Sequence, residues 1–285
     1  MLARLLQHCG VDLGPKEELM PPNSDNVDGF WENVRFVALN EQILAAFGGR
    51  WNLPPKVAIK ASVQTPDFLS LERKAKALLK RFEKLPCWGW KDPRNSLTLP
   101  FWQRLIPGLR AVMIVRSPLE VASSLTVRNG FSQAFGLNLW RIYNERLITS
   151  MTSPGAVITH YDAFFEDPVT ELRRILRLLG LPLSGAVDAA ATIVSPNRRH
   201  HNATWEQMAE ANIPENIVQL YQLLTARNWE GRFSASAAIS FRARADQRRR
   251  FRRIALQVNC AGYRSGNSPS PEETRRPKKG LTRFQ

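Results

Sequence analysis

Lys91, Asp92 and Arg94 fall close together in WGWKDPRNSLTLPFW, residues 88–102. A short strand that ends in such a run can offer an ammonium to a phosphate or sulfuryl oxygen. Asp92 then stands where a base could take a proton from an acceptor hydroxyl. The same residues also read as an Asp–Pro turn with solvated charges. A second run, AVMIVRSPLEVASSL at 111–125, brings Arg116 to the end of an apolar strand. Pro118 opens a helix, and Ser124 follows within it. Ligands of a parallel sheet bind outside the C-terminal strand ends. A helix N-terminus beside that edge favours an anion. An Arg and a hydroxyl so placed can grip one phosphate from two sides, although a surface Arg and a helix Ser would look the same.

Three further segments carry candidate residues. In VITHYDAFFEDP, 157–168, Tyr161 follows a strand and could stack on a base or bond to it, or simply be a core Tyr. In SPNRRHHN, 195–202, Arg198 and Arg199 form a plausible anion clamp or a solvated basic loop. In DGFWENVRFVALNEQIL, 28–44, Glu32 starts a helix, where it caps the N-terminus or points into a site as acid or base. His200 and His201 are adjacent with no further ligands in pattern. Cys9, Cys87 and Cys260 are scattered. Neither a metal nor a disulfide framework is expected.

These runs need elements to position them. Helical spacing covers residues 1–9, Phe30–Phe47, Phe68–Leu85, Phe101–Ile106, Leu119–Val127, Phe131–Ser150 and Val169–Leu179. Strands are expected at Cys87–Lys91, Ala111–Val115 and Ala156–His160. The alternation implies an α/β fold, a mostly parallel sheet with helices on both faces. The first helix begins at residue 1 with no cap before it, which suggests a missing upstream segment.

The formal net charge is +15, but residues 231–285 hold 14 Lys+Arg against 3 Asp+Glu. Residues 1–230 keep a balance of only +4. The expected organisation is therefore one domain at 1–230 and a basic, largely disordered tail at 231–285. High pI here describes the tail, so no specific nucleic-acid partner is expected. No apolar run approaches a membrane span, and no signal peptide is evident. A cytoplasmic location is expected.

Taken in order, the segments resemble the sulfotransferase family, over residue 1 to about 205. The resemblance implies a P-loop-related three-layer fold and 3′-phosphoadenylyl sulfate as co-substrate, without metal. The acceptor would be a hydroxyl or amine on a glycan or small molecule. Arg116 and Ser124 would hold the 3′-phosphate, Tyr161 would lie near the adenine, and Arg198 and Arg199 would help cover the nucleotide. Lys91, Asp92 and Glu32 would serve the acceptor side, with Asp92 or Glu32 as base. The family opens with a strand and a Gly-rich loop for the 5′-phosphosulfate, and neither is found before residue 1. No such loop is recognised elsewhere, since Gly48–Gly49–Arg50 runs into Trp and Pro. The expectation is an N-terminally truncated, poorly active chain. Its alternative is a non-catalytic remnant that binds 3′-phosphoadenosine nucleotide or polyanions.

Overall fold

A run that is apolar at every position suits a strand covered on both faces. The computed structural model describes residues 1–23, 26, 29–59, 65–151, 156–183, 185–194, 203–226 and 252–258. In chain order they form α1 (Leu2–His8), α2 (Val34–Ala46), α3 (Pro66–Lys80), β1 (Cys87–Lys91), α4 (Asn95–Leu105), β2 (Arg110–Val115), α5 (Pro118–Asn129), α6 (Gln133–Ser150), β3 (Val157–His160), α7 (Ala163–Glu166), α8 (Pro168–Leu178), α9 (Ala186–Ala191), α10 (Trp205–Glu210), α11 (Glu215–Thr225) and β4 (Arg252–Val258).

Alternate residues of β2 enter different apolar clusters. Ala111, Met113 and Val115 join Phe36, Trp90, Trp102 and Leu137. Val112 and Ile114 join Leu2, Leu5, Leu6, Leu172 and Ile175. The period of two thus places the sheet between two bodies of helix. The larger body is rich in aromatics: Phe36 stacks on Trp90 with centroids 4.5 Å apart, and Trp102 tilts against Trp90 at 5.1 Å.

The sheet is parallel, with order β1-β4-β2-β3. Its central strand was not among those expected. Residues 252–258 belong to the stretch read as a largely disordered tail, yet they pair with both β1 and β2. Gly89 aligns with Ile254, and Ala111 with Ala255. The centre of the sheet is therefore occupied by residues from that stretch. The physical reason is that IALQV is a β-prone, mostly apolar run, enough for a strand paired on both edges, although basic residues precede it. Asp12 adds an isolated parallel bridge to Trp88 on the free edge of β1.

Two helices differ instructively from their expected limits. The expected helix was Phe101–Ile106; instead α4 begins at Asn95 and carries Pro100 inside. Burial of Leu97, Leu99, Phe101 and Trp102 outweighs the lost backbone bond. Helix α2 starts at Val34, because Asn33, not Glu32, is its cap: the Asn33 carboxamide accepts from Arg35 N at 3.0 Å. Helices α5 and α6 cross at Gly136, where a Cβ would lie 2.8 Å from Ala122 Cα, so a larger residue would force them apart.

Among the described residues no helix is long and apolar enough to cross a membrane.

Candidate active site

Parallel strands bring their C-terminal ends to one edge of the sheet. Here that edge collects Lys91 and Asp92 after β1, Arg116 after β2 and Tyr161 after β3. Two clusters of polar side chains result.

The first is built around β1 and is shut off from water. Lys91, Asp92, Arg94 and Glu32 are each 5% exposed or less. Lys91 Nζ lies 2.5 Å from Glu32 Oε1. Arg94 Nη1 lies 2.9 Å from Asp92 Oδ1 and 3.7 Å from Glu32 Oε2, and Arg94 Nε donates to Glu41. The turn at Asp92–Pro93 exists as read, but its charges are buried rather than solvated. Asp92 Oδ1 accepts from Arg94 N at 2.9 Å, and Oδ2 accepts from Asn40 Nδ2 at 2.8 Å.

Glu32 reaches this cluster through a strained turn. Trp31 adopts φ 59°, in the left-handed region that aromatics seldom occupy. Such a conformation costs about 1–3 kcal/mol and persists only where the surroundings enforce it. Met20 N donates to Glu32 O at 2.8 Å and holds the turn from the far side. Trp31 packs against the Leu2–Leu6 cluster, while the next residue faces the charges.

The two carboxylates differ in what remains open. Both Asp92 oxygens already accept hydrogen bonds. Glu32 Oε2 is buried and accepts none among the described residues. Burial pushes the Glu32 carboxyl above its ordinary range; Lys91 opposes this, Asp92 adds to it and Arg94 opposes it. Burial also works against the Arg94 guanidinium, but Asp92, Glu32 and Glu41 outweigh it and keep that group charged. With Glu41, three carboxylates face two cations, so one proton on Glu32 would balance the set.

Asn40 binds the cluster to the core. Its Nδ2 donates to Asp92 and, at 3.1 Å, to Asn95 Oδ1. Its Oδ1 accepts from Thr98 Oγ1 and Trp102 Nε1, both at 2.8 Å. Sequence reasoning missed this residue. The signal was a polar side chain on the buried face of α2, four residues after Phe36 and before Leu44.

The second cluster joins β2 to β3. Arg116 is not a surface residue: its side chain is 14% exposed and lies 2.6 Å from Glu120, which is itself buried. Its guanidinium sits 4.7 Å from the centre of the Tyr161 ring, a distance for cation–π attraction. Tyr161 N donates to Val115 O, and Trp140 Nε1 donates to Arg116 O, fixing the backbone on both sides. Arg116 and Tyr161 are thus brought together. Ser124 lies on α5 one turn beyond Glu120, on the same helix face. Glu120, missed in the sequence, also accepts from Ala203 N at 3.0 Å. Its i,i+4 spacing from Arg116 was the available signal. Arg198 and Arg199 lie outside the described residues.

Among the described residues, no group of three or more His, Cys, Asp or Glu could hold a metal ion.

The family model described as "Sulfotransferase family" matches residues 2–185, well over half of the chain. No curated protein and no solved structure matches.

Proposed function

The chain belongs to the sulfotransferase family, and we propose that it transfers a sulfuryl group from 3′-phosphoadenylyl sulfate to a hydroxyl or amine on a glycan or small molecule. Glu32 is the base. The observation that carries this is the contrast between the carboxylates: Asp92 is bonded through both oxygens, whereas Glu32 keeps one oxygen without a donor and has a raised pKa.

In the proposed reaction the acceptor hydroxyl gives its proton to Glu32 Oε2. Its oxygen attacks sulfur, and the bond from sulfur to the phosphate oxygen breaks. The electron pair leaves with adenosine 3′,5′-bisphosphate. Lys91 holds Glu32 and is placed to meet charge on the sulfuryl oxygens. Arg94 and Asn40 keep Asp92 in the turn that aims Lys91 inward. On the nucleotide side, Arg116 and Ser124 take the 3′-phosphate, with Arg198 and Arg199 as further contacts. Tyr161, whose ring lies beside Arg116, takes the adenine. Residues 1–230 form the catalytic body, with β4 completing its sheet. This supports an active chain over a non-catalytic remnant, because β4 joins β1 and β2 into one parallel sheet.

The test is a single-turnover assay with labelled 3′-phosphoadenylyl sulfate and a panel of hydroxyl and amine acceptors. Label should pass to an acceptor in wild type and not in Glu32→Gln. Transfer at the wild-type rate in Glu32→Gln would refute the assignment of the base, and no transfer to any acceptor would refute the reaction.

A further inference from the structure

Arg94 stands among three carboxylates that hold it unequally. Its Nη1 donates to Asp92 Oδ1 at 2.9 Å and lies 3.7 Å from Glu32 Oε2. From another edge of the guanidinium, Nε donates to Glu41. Arg94, Asp92 and Glu32 are buried, whereas the Glu41 side chain is 33% exposed. An ion pair that reaches solvent ordinarily does little. This one differs because its cation is only 2% exposed and also faces the proposed base.

The 3.7 Å separation is too long for a hydrogen bond, and Glu32 Oε2 accepts none among the described residues. A guanidinium donates strongly to carboxylates, so it would close on that open oxygen unless something held it back. Asp92 holds one end and is itself fixed by Arg94 N and Asn40. Glu41 holds the Nε end, and it belongs to α2, directly after Asn40. The helix that fixes Asp92 thus also carries the second anchor. The other groups around the cluster are engaged elsewhere. Lys91 from β1 lies 2.5 Å from Glu32 Oε1. Tyr143 from α6 is pushed up by burial and stays protonated, although Arg94, Asp92 and Glu41 all act on it. Its hydroxyl donates to Trp51 O at 2.6 Å.

We propose that Glu41 is a positioning residue for the reaction: its carboxylate anchors Arg94 short of Glu32 and so keeps Glu32 Oε2 open for the acceptor's proton. The inference rests on the reading of Glu32 as the base. It gives a role to a carboxylate that neither touches the reacting atoms nor was among the candidates read from the sequence.

Isotope-edited NMR of the full chain, labelled at the glutamate carboxyl carbons, reads the Glu32 titration without any need for turnover. The signal lost in Glu32→Gln assigns it. In Glu41→Ala the guanidinium should turn to Glu32 Oε2, and Glu32 should titrate at lower pH by about one pH unit or more, as a closer opposite charge implies. In Glu41→Gln the amide oxygen can still accept from Arg94 Nε, so the move should have the same direction and be smaller. The acidic limb of single-turnover transfer should follow the titration in both variants. Should Glu41→Ala fail to fold, Glu41→Gln decides alone. Glu32 titrating as in wild type, or at higher pH, overturns the positioning role and leaves the base assignment standing. A Glu32 titration that moves while the limb of transfer stays overturns Glu32 as the base, and with it the part of Glu41 in the reaction.

Discussion

The Lys91 ammonium lies 2.5 Å from Glu32 Oε1, and both side chains are almost wholly buried. A buried pair of this kind contributes little net stability, because both ions lose their hydration. In the proposed reaction its value is control of one proton: burial raises the Glu32 pKa, and Lys91 opposes that rise.

Glu32→Gln keeps the size of the side chain and removes its basicity. Transfer should fall by about 10²–10⁴-fold, the usual contribution of a positioned base. Affinity for adenosine 3′,5′-bisphosphate should stay within about twofold of wild type, since the substitution lies outside the Arg116–Tyr161 cluster proposed to hold the nucleotide. Single-turnover rates and calorimetry on the same sample check both. A variant that loses nucleotide binding as well would place Glu32 in the fold rather than the chemistry.

The rate should rise with pH through a value above the ordinary Glu value of 4.5, because burial raises the Glu32 pKa and the base works only when ionised. Lys91→Met removes the nearest charge that lowers it, so the acidic limb should move to higher pH. Stability runs the other way. The folded chain holds a proton that the unfolded chain releases. This contribution is present below 4.5 and lost as pH rises through the raised folded value. Rate profiles and denaturant midpoints across pH, for wild type and Glu32→Gln, measure both slopes; a limb unmoved in Lys91→Met contradicts the pairing.

Asn40→Ala strips donors or acceptors from Asp92, Asn95, Thr98 and Trp102 at once. Buried groups left without partners cost about 1–3 kcal/mol each, with partial relaxation. We expect a loss of about 2–4 kcal/mol in urea unfolding. A change below about 1 kcal/mol would mean that water replaces the side chain.

Glu120→Gln should act on nucleotide binding without touching nucleotide. It loosens Arg116, whose guanidinium it positions at 2.6 Å, and weakens the contact to Ala203 N. Affinity for adenosine 3′-phosphate should fall less than in Arg116→Ala, where the loss is about 1.5–3 kcal/mol. If the double variant is no weaker than Arg116→Ala alone, the two act as one unit. Fully additive losses would assign Glu120 a separate role.

Ala255 aligns with both Trp90 and Ala111, at the middle of the sheet. Ala255→Pro removes a ladder donor from a strand with neighbours on both sides. It should lower stability by about 3 kcal/mol or more. In wild type the amides of 252–258 should exchange with solvent as slowly as those of β2. Rapid exchange there, with unfolding unaffected by Ala255→Pro, would return the segment to the tail.

Sequence alone determined what local chemistry determines. The alternation of β2 residues, the helix-opening Pro118 and the strand at Cys87–Lys91 all follow from short-range spacing. The candidate residues Lys91, Arg116 and Tyr161 could be named because each directly follows or ends an apolar strand. Spacing could not rank Glu32 against Asp92: one is buried with an oxygen left over and the other with both in use, a difference set by Asn40 and Arg94 from other elements. Nor could it place residues 252–258, because a seven-residue run in a basic stretch looks like tail until the strands on either side are known. Strand pairing joins residues far apart in the chain, and its free energy comes from neighbours that no local window contains. Tertiary structure therefore decided which carboxylate keeps an oxygen without a hydrogen bond and which segment occupies the centre of the sheet.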